Sequence, residues 1–176
     1  MIITISGTPG SGKSTVAKLL AKKLNFKHYS SGEFMRDMAE EKNMGLLNLI
    51  RLAEKDRSID EEIDQRQIGL GRTKDNFVID SRLGFHFIPK SKKIFIDADF
   101  EERAKRIFCD TIRKEHNVNL KSTKQNIRIR EISEKKRYKK YYELDPYKKS
   151  NYDLVIDSTN KTSEQVVEEI IKFLKL

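Results

Sequence analysis

The sequence predicts an α/β fold, a parallel sheet of about five strands with helices on both faces. Three observations carry this. Short apolar, β-branched runs alternate with stretches of helical period along the whole chain. The first such run leads into a glycine-rich loop, and that loop into a helix. The length of 176 residues suits one domain, spanning 1–176, with a core of its own.

Ile2-Ile3-Thr4-Ile5 reads as a buried first strand. Gly7-Thr8-Pro9-Gly10-Ser11-Gly12-Lys13-Ser14 fits the phosphate-loop pattern GxxxxGK[ST] and, with Thr15, forms the candidate nucleotide-binding stretch. Val16, Leu19, Leu20 and Leu24 recur at helical spacing, so a helix begins near Lys13. Strand, loop and helix together predict a three-layer P-loop NTPase fold. Phe26 to Tyr29 reads as a second strand. Ser30 and Glu33 have capping-box spacing, opening a helix to about Lys42. Leu46–Lys55 is a second helical stretch. Ser58 and Glu61 are again spaced as a capping box, with a helix to about Leu70. Residues 30–70 therefore form a helical, polar insertion between strands, a candidate substrate-binding flap.

Phe77-Val78-Ile79-Asp80 is an apolar strand ending in a carboxylate, and Lys93–Asp97 is the next strand. Phe100 to about His116 reads as a helix with Ala104, Ile107 and Phe108 on its inner face and Cys109 in the core. A break at Asn117-Val118-Asn119 precedes a long basic helix, Ser122 to about Tyr142, with Ile127, Ile132 and Tyr138 as its apolar positions. Asp153–Asp157 is the last strand. The final helix opens with Thr162 and Gln165 at capping-box spacing. In such sheets ligands bind beyond the carboxyl ends of the strands. The loop at Gly7, the turn at Ser30, Asp80 and Asp157 are thus expected to converge.

No apolar run approaches the ~18 residues that a membrane span needs. Met1 leads directly into the first strand, so no signal or transit peptide is expected, and a cytoplasmic location follows. The single cysteine excludes an internal disulfide, and no Cys/His cluster predicts zinc. The net charge of +9 fits either nucleic acid or small anionic substrates. Most lysines share helices with glutamates, as in Glu134-Lys135-Lys136, and read as a solvated face. A monomer handling small nucleotides, with no specific nucleic-acid partner and no membrane partner, is expected.

A phosphate loop presents backbone N–H groups and a helix N-terminus to an anion. Lys13 can reach the β- and γ-phosphates, and the Ser14 hydroxyl can ligate Mg²⁺. Asp80 ends its strand as a metal-assisting carboxylate does, or caps the following turn. It is the second candidate Mg²⁺ residue and, with Lys13, Arg82 and Arg137, a candidate catalytic one. Arginine forks suit phosphate oxygens. Arg36, Arg66, Arg82, Arg130 and Arg137 are the candidates, although each read alone also fits a surface salt bridge. His28, His86 and His116 show neither triad nor metal spacing.

Together, the Gly7–Thr15 loop, Ser30-Ser31-Gly32-Glu33, Asp60 to Gln67, Asp80-Ser81-Arg82-Leu83, Glu101 to Arg106 and Tyr152-Asp153-Leu154-Val155 resemble a cytidylate (CMP) kinase of the short archaeal kind. The resemblance covers essentially the whole chain. It implies ATP as donor, CMP and dCMP as acceptors, and Mg²⁺. It places Ser31, Gly32, Arg36 and Arg82 on the CMP phosphate side and Arg66 near the base. A lid over about 110–140 would carry Arg130 and Arg137. Ser81 stands where the family usually has Gly, and Leu83 where bacterial members carry a base-reading Asp. Kinases of AMP or UMP, and an adenylate-kinase-like ATPase acting on RNA or in ribosome assembly, are the competing readings.

Overall fold

The computed structural model describes residues 1–110 and 119–176. Among them, five strands form one parallel sheet in the order β2-β3-β1-β4-β5. β1 (Ile2–Gly7) is central, flanked by β3 (Phe77–Asp80) and β4 (Lys92–Asp97), with β2 (Lys27–Ser30) and β5 (Leu154–Asp157) at the edges. Side chains alternate across a strand. Ile3 and Ile5 of β1 accordingly join one core, and Ile2 joins the other.

The first core lies against α1 (Lys13–Lys23) and α8 (Ser163–Leu174), which contribute Val16, Leu20, Val166 and Ile170. Burying an Ile or Leu side chain contributes ~1.5–3 kcal/mol, so this layer fixes α1 behind the loop. On the opposite face Ile2, Phe77 and Ile79 pack with Ile88, which follows a one-turn helix, α5 (Gly84–Phe87), that the sequence pattern did not signal.

Between β2 and β3 run α2 (Ser31–Glu41), α3 (Leu46–Ala53) and α4 (Ser58–Thr73). They hold a cluster of their own, with Met38, Leu49, Ala53, Ile59 and Ile63 buried. After β4 come α6 (Phe100–Cys109) and the long α7 (Leu120–Tyr142), joined through Ala104, Ile107 and Ile127. α7 begins at the Asn119/Ser122 capping box, two residues before the expected start. α6 ends at Cys109, with Asp110 extended, short of the expected run to His116; residues 111–118, with the rest of that expectation and the break at 117–118, lie outside the described residues.

Two cap expectations hold, since Ser30 accepts from the Glu33 amide and Thr162 from the Gln165 amide. The third does not. Ser58 lies inside α4, because the Asp56 carboxylate takes both its amide and its hydroxyl and moves the start one residue back. Two core assignments also fail. Cys109 is exposed as the last residue of α6. Phe108 is exposed as well. Ile132 is 67% exposed, since α7 turns Ser133, Glu134 and Arg137 inward instead.

Candidate active site

β1 ends in the loop, and two glycines are required there. A Cβ on Gly7 would stand 2.1 Å from the Ile96 carbonyl oxygen. Gly10 has φ +84°, and a Cβ would meet the Arg103 carbonyl at 2.5 Å. Buried Arg103 braces the loop from α6, donating to the Pro9 carbonyl at 3.2 Å and to Glu131 of α7 at 2.6 Å. Thr8 donates to Asp97. No side chain caps the N-terminus of α1, so its first amides are left to an incoming anion, which fits a phosphate.

Beyond Lys13 and Ser14 the loop opens on a pocket at the carboxyl end of the sheet. Its walls are Ser31, Gly32, Met35 and Arg36 of α2, Leu46 and Ile50 of α3, and Asp60, Ile63, Asp64 and Gln67 of α4. Asp80 to Leu83 form the floor, and Arg130, Glu134, Arg137 and Tyr138 of α7 close it.

Asp80 is the junction of the floor. Ser14 donates to its Oδ2 at 2.8 Å and Ser30 at 3.0 Å, while His28 Nε2 lies 2.8 Å from Oδ1. The pairing of β2 with β3 sets Ser30 opposite Asp80, and His28, two residues earlier, shares its side of the strand. Burial alone would raise the Asp80 carboxyl. The bond to His28, the charge of Lys13 and the bond from Ser14 together hold it below its ordinary value. A hydroxyl and an ionised carboxylate 2.8 Å apart suit a Mg²⁺ that takes its remaining oxygens from water and phosphate. Among the described residues no group of three or more His, Cys, Asp or Glu could hold a metal without such help.

Two of the pocket arginines, Arg82 and Arg137, are held by carboxylates. Arg82 Nε donates to Glu134 Oε2 at 2.7 Å, both side chains being nearly buried, and the Tyr147 hydroxyl donates to the same oxygen. Burial would raise Glu134, but Arg82 and Arg130 bring it down to about 2. Arg137 donates to Asp60 Oδ1 at 2.6 Å with both groups buried, tying α7 to α4. The Asp64 carboxyl, buried and accepting from the Tyr142 hydroxyl, is pushed up to about 7 by its burial. Gln67 accepts from Ser81.

Residues 2–160 match the model of the cytidylate kinase-like family. The chain is 40% identical over 172 residues to a cytidylate kinase of Methanococcoides burtonii, covering 98% of this chain and 95% of that one. It is 43% identical over 171 residues to a cytidylate kinase of Methanocella arvoryzae, covering 97% and 94%, and 36% identical over 176 residues to one of Methanobrevibacter smithii, covering 100% and 99%. The chain belongs to the cytidylate kinase-like family. Among solved structures, an uncharacterized protein from Eubacterium ventriosum shares the fold with a TM-score of 0.72 at 23% identity, covering 99% of this chain and 98% of that one. A shikimate kinase from Bacteroides thetaiotaomicron shares it at 0.69 and 14% identity, covering 100% and 99%.

Of the residues that the family resemblance singled out, Lys13, Ser14, Ser31, Gly32, Arg36, Asp80, Arg82, Arg130 and Arg137 all line the pocket. Arg66 does not. It points outward from α4, pairs with Glu62 at 2.6 Å and stacks over Phe34. Its neighbour Gln67, about 100° round the helix, faces inward instead. Asp157 also stays apart, accepting from Thr159 in the turn after β5. His86 packs against Phe87 and Tyr142. Sequence reasoning missed His28, Asp60, Asp64, Arg103 and Glu134. The spacing of Arg130, Glu134 and Arg137, at i, i+4 and i+7, is the helical signal that marks one inward face of α7.

Proposed function

We propose that the chain transfers the γ-phosphate of ATP to CMP, with dCMP as a second acceptor, giving ADP and CDP or dCDP. The observation that carries this is the single pocket joining Lys13 of the phosphate loop to Arg36, Arg82, Arg130 and Arg137. Two anions must be brought together there, and the cations of the phosphate loop, α2, the floor and α7 offset their repulsion. The names of the relatives support CMP as the acceptor.

ATP binds by its phosphates on the Gly7–Thr15 loop, with Lys13 on the β- and γ-phosphates. Its nucleoside leaves on the far side of the loop, where a second concavity is lined by Gly10, Gly12, Thr15, Arg106 and Lys161. CMP enters under α2–α4, the flap, and its phosphate meets Arg36 and Arg82 beside Lys13. Ser14 and Asp80 would hold Mg²⁺, which when bound neutralises phosphate charge. Asp80 is kept ionised for this role by His28, Lys13 and Ser14. A phosphate monoester has its second pKa near ~6, so the acceptor is largely a dianion at neutral pH and needs no general base. The flap meets the lid part of α7 through Asp60–Arg137 and the floor meets it through Arg82–Glu134, contacts that shut water out of the transfer.

The test is ADP release by the purified protein with Mg²⁺ and ATP, measured against CMP, dCMP, UMP and AMP. Release that depends on CMP is expected. Release that is indifferent to every monophosphate but stimulated by RNA would replace this reading with that of an RNA-linked ATPase.

A further inference from the structure

We infer that Arg103 is a positioning residue of the donor site: it holds the Pro9 carbonyl and so turns the Gly10 N–H toward the phosphates of ATP, with Glu131 of α7 as its anchor. This rests on the reading of the Gly7–Thr15 loop as the donor's phosphate site.

The tip of the loop is a tight turn. The Ser11 amide donates to the Thr8 carbonyl at 3.2 Å, and Pro9 and Gly10 stand between them. Pro at the second position and Gly with φ +84° at the third are the marks of a type II turn. Types I and II differ by a flip of the middle peptide, here Pro9–Gly10. Glycine populates φ of either sign about as readily, so the sequence of the turn does not fix that peptide. Arg103 does. Its Nη1 donates to the Pro9 carbonyl at 3.2 Å from the α6 side. A trans peptide sets its C=O and N–H on opposite sides. With the carbonyl drawn toward α6, the Gly10 N–H faces away from α6. An amide already aimed at an incoming anion needs no reorganisation when the anion arrives.

Arg103 itself is 7% exposed and lies outside the linings of the two concavities on the loop. It therefore acts through the loop and not by touching a nucleotide. Its own position is set twice over. Nε donates to the Ala98 carbonyl at 3.1 Å, and Nη1 also donates to Glu131 Oε1 at 2.6 Å. A buried guanidinium needs such a carboxylate. Glu131 belongs to the helix that brings Arg130, Glu134 and Arg137 to the pocket. One helix thus lines the acceptor pocket and also holds the donor loop in shape.

The test is direct titration of Mg²⁺-ATP, of inorganic tripolyphosphate and of CMP, each alone, into wild type, Arg103→Lys, Glu131→Ala and Glu131→Gln. Tripolyphosphate isolates the loop from any contact with the nucleoside. Arg103→Lys keeps the charge but loses the planar fork. Both it and Glu131→Ala should weaken ATP and tripolyphosphate by about 10-fold, the scale of one hydrogen bond to a charged group. CMP binding should change little. Glu131→Gln keeps an oxygen for Nη1 and should recover most of the affinity. Unchanged tripolyphosphate binding in the folded variants would overturn the inference. Equal weakening of CMP and tripolyphosphate would overturn it too, since that is the mark of a general loosening. If Arg103→Lys does not fold, the two Glu131 variants decide. The proposed reaction is judged separately, by transfer to CMP in wild type.

Discussion

Arg82 Nε stands 2.7 Å from Glu134 Oε2, with side-chain exposures of 10% and 8%. The arginine after β3 and the middle of α7 are thus one unit, and the carboxylate fixes a cation that lines the pocket. Removing one partner of a buried pair leaves the other charge unpaired, at ~3–5 kcal/mol. Glu134→Ala should therefore lower the thermal midpoint clearly more than Glu134→Gln, which keeps an acceptor for Arg82. Equal midpoints would mean that the pair holds nothing. Glu134 has its pKa at about 2 folded and 4.5 unfolded. Its contribution is complete above 4.5 and lost as pH falls toward about 2.

Asp64 works in the opposite direction. Its pKa is about 7 in the fold and 3.8 in the unfolded chain, because burial outweighs the bond from Tyr142. The folded state keeps this proton longer, so stability from this group is complete below 3.8 and is lost as pH rises to about 7. Asp64→Asn should gain on wild type across that window and then run parallel to it. Thermal unfolding over the pH range checks this. A constant difference at every pH would contradict it.

Much of the fold was legible locally. β1, β3 and β5 announce themselves as apolar runs, and the Thr162/Gln165 box opens α8 where its spacing says. The site was only half legible, for a physical reason. His28 and Ser30 reach Asp80 because β2 lies beside β3 in that register, and register between distant strands is not a local property. Arg66 and Gln67 show the same limit on a helix, because adjacent residues face different ways and only the packing of α4 decides which looks inward. The Ser58 box failed because Asp56, two residues upstream, competes for the same donors.

Lys13→Ala should leave the fold intact and lower phosphoryl transfer by more than ~10²-fold, the scale of one preorganised transition-state donor. Circular dichroism with steady-state kinetics measures both. Turnover near wild type would remove the phosphate loop from the mechanism.

Arg36 sits on α2 and lines the pocket, on the side proposed for the acceptor. Arg36→Ala should weaken CMP by roughly 10- to 100-fold and leave ATP binding, titrated without CMP, nearly unchanged. Turnover should fall as well, because a loosely held acceptor is poorly aligned for in-line transfer. Equal weakening of both nucleotides would mean that donor and acceptor are misplaced.

The central claim is direct transfer from donor to acceptor within one pocket. The measurement that tests it is the fate of an isotopic label on the γ-phosphate of ATP when the protein is mixed with Mg²⁺ and CMP. The label should appear in the β-phosphate of CDP, in step with ADP formation and with little free phosphate. Label released as inorganic phosphate, with CMP unchanged, would contradict it.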